Sequence, residues 1–146
     1  LPVVTAPTVG VAANTPEEAA NKQLVLDYYR DIEATVRAGK VSELPKVDAK
    51  YRDPGYIQHS VGRQGVPGTQ SGGTAAPRMG SPQLLAITAE GDKVIQVTSR
   101  SMTGPEGKTN EVIIFNMFRV KDGKLIEHWD AFGVPAESLS KSSGSK

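Results

Sequence analysis

Four runs of strand-forming residues follow one another between Leu84 and Phe132, and the connections between them are too short for anything but antiparallel neighbours. The runs Leu84 to Ala89, Lys93 to Met102, Glu111 to Val120 and Lys124 to Phe132 are separated by Glu-Gly-Asp, Thr-Gly-Pro-Glu-Gly and Lys-Asp-Gly, all sequences that reverse a chain locally. An antiparallel meander is therefore the expected second half of the fold.

Upstream, the periodicity changes from strand to helix. Thr15-Pro-Glu-Glu18 combines a capping hydroxyl, a proline at the first helical position and a glutamate three residues after the cap, which predicts a helix start. Val25, Tyr28, Tyr29, Ile32 and Val36 recur at helical spacing, and Gly39 offers a left-handed stop. A shorter helix is expected around Ser42 to Ala49, with Pro45 in its first turn. Asp53-Pro54-Gly55 reads as a turn and Tyr56-Ile-Gln-His59 as a short strand, while Ser60 to Pro82 is rich in glycine and proline and reads as an irregular loop. Helices first and strands later argue for an α+β fold with the helices packed on one face of a curved sheet. One domain over residues 15–136 accounts for the pattern, flanked by an N-terminal tail, 1–14, and a polar Ser/Lys-rich tail, 137–146.

Composition narrows the partners. With 146 residues the chain can bury one substantial core, and 17 Lys and Arg against 16 Asp and Glu leave a net charge of +1. Such a balance gives no electrostatic footprint for nucleic acid or an acidic membrane surface. No run approaches the length of a membrane-spanning helix. The absence of cysteine removes disulfides, thiolate metal sites and a cysteine nucleophile. The chain opens on Leu1 rather than methionine, which fits a processed, exported protein, although Leu1 to Asn14 lacks the basic start and apolar block of a signal peptide.

The chemistry concentrates in the last strand. His128 and Asp130 stand two residues apart in Lys124-Leu-Ile-Glu-His-Trp-Asp-Ala-Phe132, so they share a face. Two hairpin registers compete. A two-residue Asp122-Gly123 turn pairs Lys121 with Lys124 and sets Met117 opposite His128. A three-residue loop with a bulge pairs Val120 with Lys124 and sets Asn116 opposite His128. The second groups Ile114, Asn116, Phe118 and Val120 with Ile126, His128, Asp130 and Phe132, and puts Arg119 and Glu127 together on the other face. It is preferred because it segregates the charges and pairs them across strands. Asn116, His128 and Asp130 then interrupt an apolar inner face, where an unsatisfied polar group costs roughly 1–3 kcal/mol. Either they satisfy one another, with a helix residue such as Tyr28 as a further partner for Asp130, or they serve a ligand. His59 joins them if Ile57 points inward; otherwise Tyr56 and Gln58 do. Two histidines and a carboxylate could form a metal triad, but the spacing is generic and no metal is expected.

Asn21-Lys-Gln-Leu-Val25 with Tyr28-Tyr29, Tyr56-Ile-Gln-His59, Ala89-Glu-Gly-Asp92, Phe118-Arg-Val-Lys-Asp-Gly-Lys124 and Glu127-His-Trp-Asp130 together resemble the SnoaL-like polyketide cyclase group of the nuclear-transport-factor-2-like superfamily, over roughly Thr15 to Phe132. The resemblance implies a cone in which helices close over a strongly curved antiparallel sheet and leave a deep, mostly apolar pocket for a small hydrophobic molecule. Many such proteins are homodimers, and characterised ones include aldol cyclases and ketosteroid isomerases that need no cofactor. Asp130 matches the cyclase acid/base aspartate and His59 the Tyr-x-x-His motif. Asn116 and His128 would polarise or orient the ligand, with Tyr28 and Phe118 as further binding residues. Trp129, on the opposite face, reads as packing or dimer contact. The family pattern has a helix after the Tyr-x-x-His strand, where this chain is Gly/Pro-rich.

Two functions follow. One is a cofactor-independent acid/base enzyme acting on a hydrophobic carbonyl compound through Asp130, with a histidine assisting. The other is a non-catalytic ligand-binding or self-assembling protein on the same fold.

Overall fold

A computed structural model describes residues 14–60, 78–104 and 107–133. The N-terminal tail before Asn14, most of the Ser60 to Pro82 loop, and the tail 137–146 lie outside the described residues. Helix α1 (Pro16–Arg37) is followed by a 3-10 turn (Val41–Glu43) and helix α2 (Leu44–Tyr51). Six strands follow: β1 (Arg52–Ser60), β2 (Arg78–Met79), β3 (Gln83–Glu90), β4 (Lys93–Thr103), β5 (Thr109–Lys121) and β6 (Lys124–Gly133). They form one sheet in the order β1-β6-β5-β4-β2, with β3 also paired to β4.

The meander from β3 to β6 is antiparallel, as its short turns require. The parallel pairing is that of β1 with β6, made possible because the whole meander intervenes between them. Asp53-Pro54-Gly55 does not turn the chain away. It forms an irregularity inside β1, where the register jumps from Arg52 opposite Leu125 to Ile57 opposite Glu127. Within it the Asp53 carboxylate accepts the Gly55 N–H at 2.7 Å.

The expected capping box starts α1: the Thr15 hydroxyl accepts the Glu18 N–H at 3.1 Å, and Glu18 accepts the Thr15 N–H at 2.9 Å. Glu18 also accepts the Gly91 N–H at 2.9 Å, so the cap fastens the helix to the β3–β4 turn. Gly39 takes the left-handed conformation, φ 71°, just after the helix. Pro45 lies in the first turn of α2, where its missing N–H costs nothing. The apolar stripe of α1 meets the sheet through Val25 and Tyr28, which pack with Val94, Phe118 and Leu125 as the largest fully buried side chains. A second cluster, Met102, Val112 and Ile114 with Phe132 against it, fills the other end of the same sheet face.

Candidate functional site

The hairpin uses the turn of one expected register and the facing of the other. Asp122 and Gly123 both take positive φ, 50° and 70°, in a two-residue turn, and Lys121 faces Lys124. A bulge then inserts one extra residue, so that Val120 faces Leu125 while Arg119 faces Glu127. The preferred pairing of Val120 with Lys124 is therefore corrected. Phe118, not Asn116, lies opposite His128, and Asn116 lies opposite Asp130. The face assignment stands, with Leu125 in the inward place expected for Ile126.

Inward-facing polar side chains form a row across three strands, Gln96 on β4, Asn116 on β5 and Asp130 on β6, since each is register partner of the next. Gln96 and Asn116 are buried and Asp130 half-buried. His128 lies one step along β6, buried, its ring stacked on Phe118 with centroids 4.2 Å apart. Its Nδ1 lies 2.9 Å from Gln58 Oε1 and its Nε2 2.9 Å from the Asn116 side-chain amide. Gln58 also donates through Nε2 to Asp130 Oδ2 at 3.4 Å and accepts the Tyr56 hydroxyl at 2.9 Å.

These contacts fix protons. A carboxylate only accepts, so Gln58 turns its NH2 to Asp130 and its carbonyl to His128, which makes Nδ1 the protonated ring nitrogen. With the proton on Nδ1 a neutral ring accepts at Nε2, which faces Asn116 Oδ1 while Asn116 Nδ2 donates to Gln96 Oε1 at 3.5 Å; a half-turn of the Asn116 amide would bring its NH2 to the ring instead. Burial, helped by the positive charge of Arg52, lowers the His128 pKa from 6.5 to about 4, so the ring is neutral at neutral pH. Burial raises the Tyr29 and Tyr56 phenols, Tyr56 to about 12, and the Asp130 charge pushes both the same way. Both hydroxyls therefore stay protonated at neutral pH.

His59 stands elsewhere. Ile57 is 52% exposed, so β1 turns Tyr56 and Gln58 inward and His59 outward. On that outer face His59 Nε2 lies 2.8 Å from Glu127 Oε1, and its ring stacks on Trp129 at 4.8 Å. The expected place of His59 beside Asp130 is corrected, and the two histidines lie on opposite sheet faces. Among the described residues no group of three His, Asp or Glu side chains could hold a metal ion. Tyr28 and Phe118 belong to the core, the Tyr28 hydroxyl donating to Asp48 at 2.8 Å, while the neighbouring Tyr29 faces open space. Sequence reasoning held Gln58 only as the alternative to His59 and gave Tyr29 no site role. The period-two partnership of Gln58 with Tyr56 was the signal for the first, and the i, i+4 step from Tyr29 to Glu33 for the second.

That open space is a cleft of about 320 Å³ between α1 and the β3–β4 side of the sheet. Leu26, Ala34, Pro82 and Leu84 give it apolar walls, and Tyr29 with Gln96 forms the end nearest the polar row. Glu33 on its helical wall pairs with Arg100 at 2.8 Å, both side chains 15% exposed, which ties α1 to β4.

The same architecture occurs in solved structures. A protein from Jannaschia sp. CCS1 assigned as a SnoaL-like polyketide cyclase superposes with a TM-score of 0.58 at 16% identity, over 92% of this chain and 99% of that one. The fold is the SnoaL-like, nuclear-transport-factor-2-like cone. An ntf2-like protein of unknown function from Burkholderia pseudomallei gives 0.57 at 13% identity, over 86% and 98%. IdmH from Streptomyces antibioticus, assigned as a polyketide cyclase, gives 0.52 at 20% identity, over 77% and 91%. No family model and no curated protein matches the chain in sequence. The SnoaL-like cone thus rests on architecture rather than on sequence identity.

Proposed function

We propose that the chain is a cofactor-independent acid/base enzyme, of aldol cyclase or isomerase type, acting on a small hydrophobic carbonyl compound. The observation that carries this reading is the half-buried Asp130 carboxylate on the inner face, oriented by Gln58 and accompanied by two phenols that stay protonated. Asp130 would take a proton from the carbon next to a carbonyl. Tyr29 or Tyr56 would donate to the enolate oxygen as charge develops there. The proton returns to a different carbon in an isomerisation; in an aldol closure the enolate carbon attacks a second carbonyl, and the alkoxide so formed takes the proton back from Asp130. His128 is held neutral and bonded at both nitrogens, so it orients rather than carries the proton. Solved structures with this fold include proteins described as polyketide cyclases and an epoxide hydrolase, which supports an enzymatic use of the cone.

The test is exchange of α-protons for deuterium in a panel of polyketide-type and steroid ketones, followed by NMR in heavy water. Wild-type protein should accelerate exchange for at least one member, and Asp130→Asn should lose about 100-fold or more of that acceleration while keeping its circular dichroism. Undiminished exchange in Asp130→Asn would remove the role. A second reading, a non-catalytic ligand-binding protein, draws on the Gln58–His128–Asn116 network, which satisfies itself without any ligand. It predicts ketone binding with no exchange.

We further infer self-association of two copies through the outer sheet face. Ile95, Met117 and Trp129 form one row there and Val97, Phe115 and Ala131 the next, with Ile95 41% and Phe115 49% exposed. Lys93 and Arg119 stand beside Asp92 and Glu127 at the margin, so a two-fold related copy can meet each sign with its opposite.

A further inference from the structure

The cleft is lined by more arginine than its walls neutralise. Leu26, Arg30, Glu33 and Arg37 follow one another up one side of α1 in steps of four, three and four residues and form its helical wall. Arg30 is spent on Asp27 and Asp31, at 2.7 and 3.0 Å, and Glu33 on Arg100 at 2.8 Å. Arg37 has no carboxylate within 4.0 Å among the described residues, and its guanidinium reaches only the Ser81 hydroxyl, at 3.4 Å. One positive charge therefore remains uncompensated at the far end of an apolar-walled space. The near end holds the Tyr29 hydroxyl and the Gln96 amide, which continue into the row ending at Asp130. Eight residues separate Tyr29 from Arg37, which at 1.5 Å per residue places the two ends about 12 Å apart along the helix.

We propose that the cleft binds an elongated apolar monocarboxylic acid, its carboxylate on Arg37 and its other, oxygen-bearing end at Tyr29 and Gln96. A guanidinium and a carboxylate form a charge-assisted, two-pronged contact, and the low-dielectric walls of Leu26, Ala34, Pro82 and Leu84 strengthen it relative to open solvent. This names the substrate class for the site proposed above and rests on that reading only for which end of the ligand faces Asp130. The competing use of Arg37 is local: a cation in the last turn of a helix favours the carbonyl end of its dipole.

The experiment is displacement of the fluorescent probe 1-anilinonaphthalene-8-sulfonate by decanoate and by decan-1-ol, which have the required length and differ in the acid group. Wild-type protein should bind decanoate at least tenfold more tightly than decanol, the preference shrinking with added salt. Arg37→Gln should bring the two within about twofold, Arg37→Lys should keep part of the preference, and Lys121→Gln, which removes an exposed charge in the β5–β6 turn away from the cleft, should leave it unchanged. An equal preference in wild type and Arg37→Gln overturns the proposal, whether or not Arg37→Gln also lowers thermal stability, as does the absence of decanoate binding. Asp130→Asn separates this inference from the catalytic one. Loss of exchange with the decanoate preference intact supports both. Full exchange in Asp130→Asn with the preference intact removes only the catalytic role. A preference that rises in Asp130→Asn and is untouched in Arg37→Gln puts the acid at the wrong end and overturns this proposal.

Discussion

His128 and Gln58 act as a pair of locks, each holding the other's protons. An imidazole whose folded-state pKa lies below its unfolded value takes up protons first in the unfolded chain. Stability should therefore rise with pH between about 4 and 6.5, and be lost as pH falls through that window. The full effect is roughly 3 kcal/mol. Urea denaturation at several pH values checks this, and His128→Gln should flatten that part of the profile. Gln58→Leu tests the tautomer: long-range proton–nitrogen NMR should find His128 protonated at Nδ1 in the wild type and at Nε2 in the variant, where only the Asn116 carbonyl remains to accept. A variant that keeps Nδ1–H would refute the lock. At this scale the sequence was partly legible. Asn116, His128 and Asp130 could be grouped from strand alternation alone. His59 could not be excluded, because alternation separates faces only when one is apolar and the other polar, and here the outer face is apolar too, with Ile57 beside Trp129 and Met117.

Among the elements, α1 carries the most constraint, because it forms one wall of the cleft and is tied at both ends. Its cap reaches Gly91 through Glu18 and its last turns reach β4 through Glu33 and Arg100. Thr15→Ala removes a hydroxyl that accepts a helix N–H and should cost about 1 kcal/mol of stability. Thermal unfolding measures the loss, and hydrogen exchange should locate it in the first turn of α1 and the Gly91 turn together. Thr15→Asp should restore most of it. The helix start, the stop at Gly39 and the place of Pro45 were all readable, since each depends on residues within one turn. The bulge in β6 and the irregularity in β1 were not, because their lengths are set by the neighbouring strand rather than by local sequence. Asp53-Pro54-Gly55 bends a chain in either setting, and only the presence of β6 alongside makes it part of a strand.

For the molecule as a whole, the α+β order and the meander followed from turn spacing, whereas the parallel placement of β1 beside β6 joins residues some seventy positions apart and has no local signature. The two sheet faces carry different side chains: one builds the cleft and the polar row, the other bears Phe115, Ile95 and Trp129, the surface proposed above to meet a second copy. Light scattering should give about twice 15.5 kDa. Phe115→Arg should yield a folded monomer, whereas an unchanged mass, or a mass growing with concentration, would exclude a closed pair.

The extra residue in β6 also decides which side chains each sheet face carries. With the two-residue turn in place, an unbulged strand would bring Glu127 opposite Phe118 and Trp129 onto the inner side, leaving His128 and Asp130 on the surface. The face proposed to bind a ligand and the face proposed to meet a second copy are thus one residue of register apart, and the extra residue at Ile126 is what keeps His128 and Asp130 on the inner one.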